Sequence, residues 1–333
     1  MKNTMQKINW KIVARTIISA GLLAWLVLMI DWKDLRQVLI GTKPQWIAAA
    51  MVCIVISMFI SVSKWQLVLE AQGIKLRWKE LWKAYWAGLF FNNFLPSSIG
   101  GDTLRIIWAG KAIHDMAGAA TSVVVERILA TTGLALTGLL AVAFIAKPNG
   151  LTVALFIALI IITLVLLGLM SLGSLPSWTD QKRGRIICFL RAMAGHSLQF
   201  KSQQNRLIIV VVLSFVFQVA VVGVNYCIFQ ALQVSGLSLW DVLYIIPVTS
   251  VAAMLPLGIN GYGVREGSYV ALLALYQIPA STAFTASLLF AFLVSICSLY
   301  GGYTWFNHRT EGDFADVEIQ SFPDSQGRNE VWE

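Results

Sequence analysis

Few side chains in this sequence are able to hold a charge, move a proton or grip an anion, and most of them gather in two stretches of one pattern. The first reads Leu95-Pro96-Ser97-Ser98-Ile99-Gly100-Gly101-Asp102-Thr103-Leu104-Arg105. The second, Leu255-Pro256-Leu257-Gly258-Ile259-Asn260-Gly261-Tyr262-Gly263-Val264-Arg265, repeats the Leu, Pro, Ile, second Gly and final Arg in register. Glu126-Arg127 follows the first stretch and Glu266 adjoins the second. Arginine presents a planar donor fork that suits phosphate, and glycine-rich turns leading into helices add backbone N–H donors and a positive helix end. Asn93, Asn260 and Tyr262 contribute neutral hydrogen-bonding groups, while Asn92, Gln218 and Asn225 are further polar side chains within reach of such a site. The candidate substrate-binding set is Asn93, Gly100, Gly101, Asp102, Arg105, Glu126, Arg127, Asn260, Gly261, Tyr262, Arg265 and Glu266. Asp102 is placed either to cap the helix that follows or to receive an ammonium group. The three acids and three arginines of this set sum to zero, so a self-neutralising network that only fixes helix packing is the competing reading.

These residues sit in a chain that is 57% hydrophobic and only 13% charged, far below the ~25% charge of soluble domains. An all-α polytopic membrane protein is expected. The net charge of +8 comes from basic residues beside apolar runs, where they set topology; nucleic acid is not an expected partner. Cys53, Cys188, Cys227 and Cys297 show no metal or redox spacing, and His114, His196 and His308 are scattered, so neither a metal nor a cofactor is expected. No phosphate-binding lysine loop or dinucleotide fingerprint occurs.

Proline removes a backbone donor and glycine adopts angles that helices avoid, so both stretches should break a helix at membrane depth. Such breaks persist only where protein or a polar cavity surrounds them, and paired breaks in two halves of a chain point to a transporter-type site. Spans are expected at about residues 10–30, 46–69, 117–146, 151–172, 207–232 and 282–306. Lys64 is expected to snorkel outward, and the aromatic and basic stretch around Trp78, Trp82, Tyr85 and Trp86 to lie in the inner interface or to serve as a headgroup platform. From Ala84 to Leu95 is roughly 18 Å of helix, too short for a core of about 30 Å. The short limbs around each break are therefore read as re-entrant hairpins. About six full spans and two hairpins entering from opposite faces make an inverted repeat of about residues 45–146 and 207–306. If each limb crosses as a tilted span instead, up to about ten crossings result. The basic loop 174–206 marks the cytoplasmic side and places both termini there. Residues 307–333 are acidic and expected to be disordered, outside a membrane domain of 1–306.

The combination Asn93-x-Leu95-Pro96, Gly100-Gly101-Asp102-x-x-Arg105, Glu126-Arg127, Leu255-Pro256 and Gly261-x-Gly263-Val264-Arg265-Glu266-Gly267 resembles the lysylphosphatidylglycerol synthase transmembrane family over about residues 10–306. The resemblance implies a flippase-like membrane protein of the bacterial cytoplasmic (inner) membrane. The family's best understood members move aminoacylated phosphatidylglycerol between leaflets and carry an additional cytosolic aminoacyl-transferase domain, which is not expected here. Phospholipid, aminoacylated phospholipid or a polyprenyl-linked lipid is the implied cargo, with a lipid-synthesising enzyme as a candidate partner. The expected function is translocation of a phosphate-bearing lipid. The alternative is a membrane-embedded transferase acting on a lipid phosphate, with Asp102 or Glu126 as general base.

Overall fold

The computed structural model describes residues 41–94, 100–144, 150–171, 185–255 and 261–310. The expected first span, the Pro/Gly tips at 95–99 and 256–260, part of the basic loop and the acidic tail lie outside the described residues. Among those described there is only helix: α1 Pro44–Ala71, α2 Trp78–Phe94, α3 Gly100–Ile113, α4 Met116–Phe144, α5 Gly150–Ser171, α6 Arg185–Ser197, α7 Gln204–Ala231, α8 Leu239–Met254, α9 Val264–Ala274 and α10 Ala280–Thr310. A 3-10 segment, Leu198–Gln203, joins α6 to α7.

Among the described residues, five stretches are long and apolar enough to cross a bilayer; they comprise α1, α4, α5, α7 and α10. α5 is the most lipid-like of them, lined by exposed Leu155, Ile161, Ile162, Leu164 and Val165. The four remaining helices of the two motif regions are shorter. At 1.5 Å per residue, α2, α3, α8 and α9 extend roughly 16–25 Å, less than a hydrocarbon core of about 30 Å. α8 also carries a buried proline, Pro247, in its interior.

The bundle has two main cores that meet along α1. Ala50 and Ile54, in the first half of α1, pack into one with residues of α7, α8, α9 and α10, including Ile228, Ile245, Tyr269 and Ala286. Met58, Val62, Trp65 and Leu69, in its second half, pack into the other with Leu81, Tyr85, Trp86, Trp108 and Val123 of α2, α3 and α4. The short pair α2–α3 and the short pair α8–α9 thus lie at opposite ends of α1. Helix packing follows the same exchange: α2 packs on α10 as α8 packs on α4, α3 on α4 as α9 on α10, and α1 packs most extensively on α7.

Close helix approach is secured by glycine. A Cβ on Gly101 would run into the Gly88 carbonyl and the Asn92 side chain, which locks α3 against α2, and a Cβ on Gly301 would overlap the backbone of Trp86 at the α2–α10 crossing. Aromatic rings finish that crossing, with Trp86 edge-on to Tyr300 and Phe91 edge-on to Trp305.

Two expectations are corrected. The aromatic stretch around residue 85 and the limb expected from Ala84 are not two elements but one helix, α2, in which Tyr85 and Trp86 are buried in the bundle. Apolar residues recur one turn apart along it, so Leu81, Tyr85 and Trp86 turn inward while Lys79 and Lys83 face outward. The segment 185–206 is also largely helical, not loop: Ser197 Oγ donates to the Met170 carbonyl, Thr121 Oγ1 reaches the Met193 carbonyl, and Arg206 caps α1 by donating to the Glu70 carbonyl at 2.6 Å.

Candidate functional site

The first motif region builds a five-residue ion cluster between α1, α3 and α4. Lys64 Nζ lies 3.3 Å from Glu126 Oε1, and Arg105 Nη2 lies 3.3 Å from Glu126 Oε2. Arg105 Nη1 then reaches Asp102 Oδ1 at 3.3 Å, one turn back on its own helix. Arg127 closes the chain by donating to both Asp102 oxygens, from Nε at 2.9 Å and from Nη2 at 2.7 Å. The Arg105 guanidinium lies over the rings of Trp65 and Tyr85, 4.4 and 4.2 Å from their centroids. Trp65 is held for this by donating from Nε1 to Ser122 Oγ at 3.0 Å. Desolvated guanidinium over indole and phenol faces gains cation–π energy as well as ion pairing.

Lys64 corrects the expectation of snorkelling: it is 1% exposed and serves as a counter-ion to Glu126. Its ammonium is turned across to Glu126 on α4 instead of along α1 toward a helix end. Its presence changes the charge count. Three cations, Lys64, Arg105 and Arg127, face two carboxylates, so the cluster carries one positive charge more than it neutralises.

The second motif region is arranged differently. Gly261 and Gly263 adopt positive φ of 75° and 83°, which glycine allows without a Cβ penalty. Gly263 N donates to Glu266 Oε2 at 2.6 Å, so Glu266 caps the start of α9. Its other oxygen accepts from Arg265 Nη2 at 2.7 Å and from Ser287 Oγ at 3.3 Å on α10. Glu266 is fully buried. Arg265 remains partly exposed beside Tyr262 and Phe290 and lines a cavity of about 260 Å³. Asn225, Thr249, Ser250 and Tyr269 give this cavity its polar wall, and Ile246, Ala253, Met254 and Phe290 its apolar one. Tyr269 Oη donates to Asn225 Oδ1 at 2.5 Å, and Asn225 Nδ2 donates to the Val221 carbonyl at 2.9 Å.

The sequence-selected residues therefore divide into two groups. Asp102, Arg105, Glu126 and Arg127 come together in the ion cluster, with Gly100 and Gly101 opening α3 beside it. Arg265, Glu266 and Tyr262 meet at the start of α9, next to Gly261; Asn260 lies outside the described residues. Arg105 and Arg265 do not converge on one cavity, because Arg105 is enclosed at 2% exposure and is not among the cavity's lining residues. At each helix start one donor is already engaged: Gly101 N by Asn92 Oδ1 at 2.8 Å and Gly263 N by Glu266. Asn92, not Asp102, accepts from Gly101 N at the start of α3, and Asp102 instead pairs with Arg105 and Arg127; Asn93 Nδ2 is buried with no partner among the described residues. Lys64 and Tyr85 were read only as interfacial residues, and Trp65, Thr249 and Ser250 were not selected for the site. A lysine inside an apolar run was a usable signal for the first; two hydroxyls on an apolar helix give none.

Among the described residues, five bilayer-length helices around two clusters of buried charge define a multi-pass membrane protein with ionisable groups held inside its bundle. The family described as lysylphosphatidylglycerol synthase TM region matches residues 12–301, and the chain belongs to it. A curated relative, a UPF0104 membrane protein of Methanocaldococcus jannaschii, is 30% identical over 117 residues, which cover 34% of this chain and 35% of that protein. The matched part is thus about a third of that relative's length.

Proposed function

We propose that this protein is a flippase-like lipid translocase, which holds a phosphate-bearing headgroup in the Arg265 cavity while the acyl tails stay in the bilayer. The observation that supports it best is the placement of two short helix pairs at opposite ends of α1, one enclosing the ion cluster and the other lining the cavity. With the matched packing of α2 on α10 and α8 on α4, this is the arrangement expected of an inverted repeat with two re-entrant hairpins. Such repeats move a fixed midplane site between two faces by rocking one unit against the other. Arg265 supplies the donor fork for phosphate, and Thr249, Ser250 and the Asn225–Tyr269 pair supply hydroxyl and amide groups for the rest of the headgroup. In this reading the repeat units are about residues 45–146 and 207–306, the chain resides in a cytoplasmic membrane, and the 185–206 region faces the cytoplasm.

A transferase reading draws no comparable support. Its candidate bases, Asp102 and Glu126, each have their oxygens engaged by two cationic side chains of the cluster, and neither lines the Arg265 cavity.

The test uses a chain whose four cysteines are replaced by serine and a single thiol is introduced at Ser250. Alternating access requires that thiol to react with a membrane-impermeant reagent from one face in one trapped state and from the other face in the opposite state. Reaction from a single face in every state would remove the translocase reading.

A further inference from the structure

Arg127 is the one exposed charged side chain among the described residues of the five bilayer-length helices, with half of its side chain (52%) accessible. It lies roughly 16 Å along α4 from Met116, on a helix of about 43 Å, and therefore inside the hydrocarbon thickness. An arginine there costs about 2.5 to 3.5 kcal/mol on insertion scales unless something compensates it. Asp102 compensates only in part. That carboxylate is shared with Arg105, and the cluster of described residues retains one positive charge in excess. The Arg105 Nε is buried with no partner among the described residues, so the donor surplus is visible in hydrogen bonds as well as in charge. Lys64 and Arg105 are sealed in, so the only outlet for this surplus is the outer edge of Arg127, where no protein acceptor meets Nη1 among the described residues. Val124, one turn earlier on the same helix, is itself exposed at 38% and puts an apolar neighbour beside that edge.

We infer that Arg127, braced by Asp102, is a lateral docking station for the phosphodiester of a bilayer lipid, separate from the Arg265 cavity. Asp102 holds the Nε and Nη2 edge and fixes the plane of the guanidinium, which leaves Nη1 directed at the anion. The phosphodiester completes the charge balance of the cluster, and the tails lie along α4. The station does not depend on translocation, since a lipid that docks and never moves would occupy it equally.

The test places the photocrosslinker benzoylphenylalanine at Val124, with Leu140, exposed at 39% on the same helix, as a control position. The full chain is reconstituted in nanodiscs containing radiolabelled phosphatidylglycerol or diacylglycerol with the same tails. Crosslinking at Val124 should favour phosphatidylglycerol by about tenfold, the worth of one charge-assisted hydrogen bond, and Arg127→Gln should abolish the preference. Arg127→Lys should keep part of it. Leu140 should show no preference. Equal labelling by both lipids at Val124 would overturn the station, as would a preference that survives Arg127→Gln. Loss of the preference on adding inorganic phosphate would also overturn it, by showing that the site takes phosphate from solution and not from lipid. Because the readout is lipid occupancy at Arg127 and not movement between leaflets, its failure leaves the translocase reading intact, to be judged on leaflet exchange alone.

Discussion

Replacing Glu126 by Gln is the sharpest probe of the ion cluster. Glu126 is 1% exposed, and each of its oxygens faces one cation at 3.3 Å, Lys64 on one side and Arg105 on the other. Glutamine keeps one acceptor and turns the other into an NH₂ donor, so one cation retains a neutral partner while the second faces a like donor. Removing one member of a buried ion pair costs about 3–5 kcal/mol, because the remaining charge is left buried and uncompensated. At about 2 °C per kcal/mol for a chain of this size, thermal unfolding of the detergent-purified protein should shift down by roughly 6–10 °C. The double variant Lys64→Met/Glu126→Gln removes the orphaned ammonium too and should recover part of the loss, giving a coupling energy of about 1–3 kcal/mol. The reasoning fails if Glu126→Gln unfolds within about 1 °C of wild type, or if adding Lys64→Met only deepens the loss.

Trp65→Phe should cost about 1–2 kcal/mol, since it removes both the hydrogen bond to Ser122 and the indole face beneath Arg105; a chemical-denaturation midpoint equal to wild type would contradict this. Gly101→Ala should destabilise by about 1–3 kcal/mol through collision with the Gly88 carbonyl, whereas Gly168→Ala on α5, where a Cβ meets nothing within 4 Å, should be neutral by the same measurement. Arg265→Lys keeps the charge but loses the donor fork and one bond to Glu266, so headgroup binding measured by lipid copurification should fall about tenfold. In a cysteine-free chain, a thiol at Ser235 should label from outside intact cells, and one at Ser202 only after permeabilisation.

The spans were legible because hydropathy alone specifies them: the limits expected at residues 46–69, 117–146, 151–172, 207–232 and 282–306 lie close to those of α1, α4, α5, α7 and α10. The short limbs of the two motif regions were legible for the same reason, with α8 and α9 starting near Asp241 and at Val264. Where polar and apolar residues mix, periodicity carries the information and simple hydropathy misleads. α2 was divided into a ribbon and a limb because its lysines alternate with tryptophans, although Leu81, Tyr85 and Trp86 share its buried face. The membership of the ion cluster was half legible. Asp102, Arg105, Glu126 and Arg127 announced themselves as charges in an apolar chain, but Lys64 lay beside Trp65 near an expected interface and was assigned to it. The cap of α3 was misplaced on Asp102: the side chain that accepts from Gly101 N is Asn92, nine residues back on α2, a contact across two helices that local spacing does not carry.

The translocase reading is tested most directly by leaflet exchange in proteoliposomes made with the purified chain alone. A labelled lipid from a panel of phosphatidylglycerol, its aminoacylated form and a polyprenyl phosphate, placed in one leaflet, should appear in the other with its mass unchanged, and exchange should slow in Arg265→Lys. Absence of protein-dependent exchange for every lipid of the panel would contradict the account, and so would a lipid that emerges covalently altered.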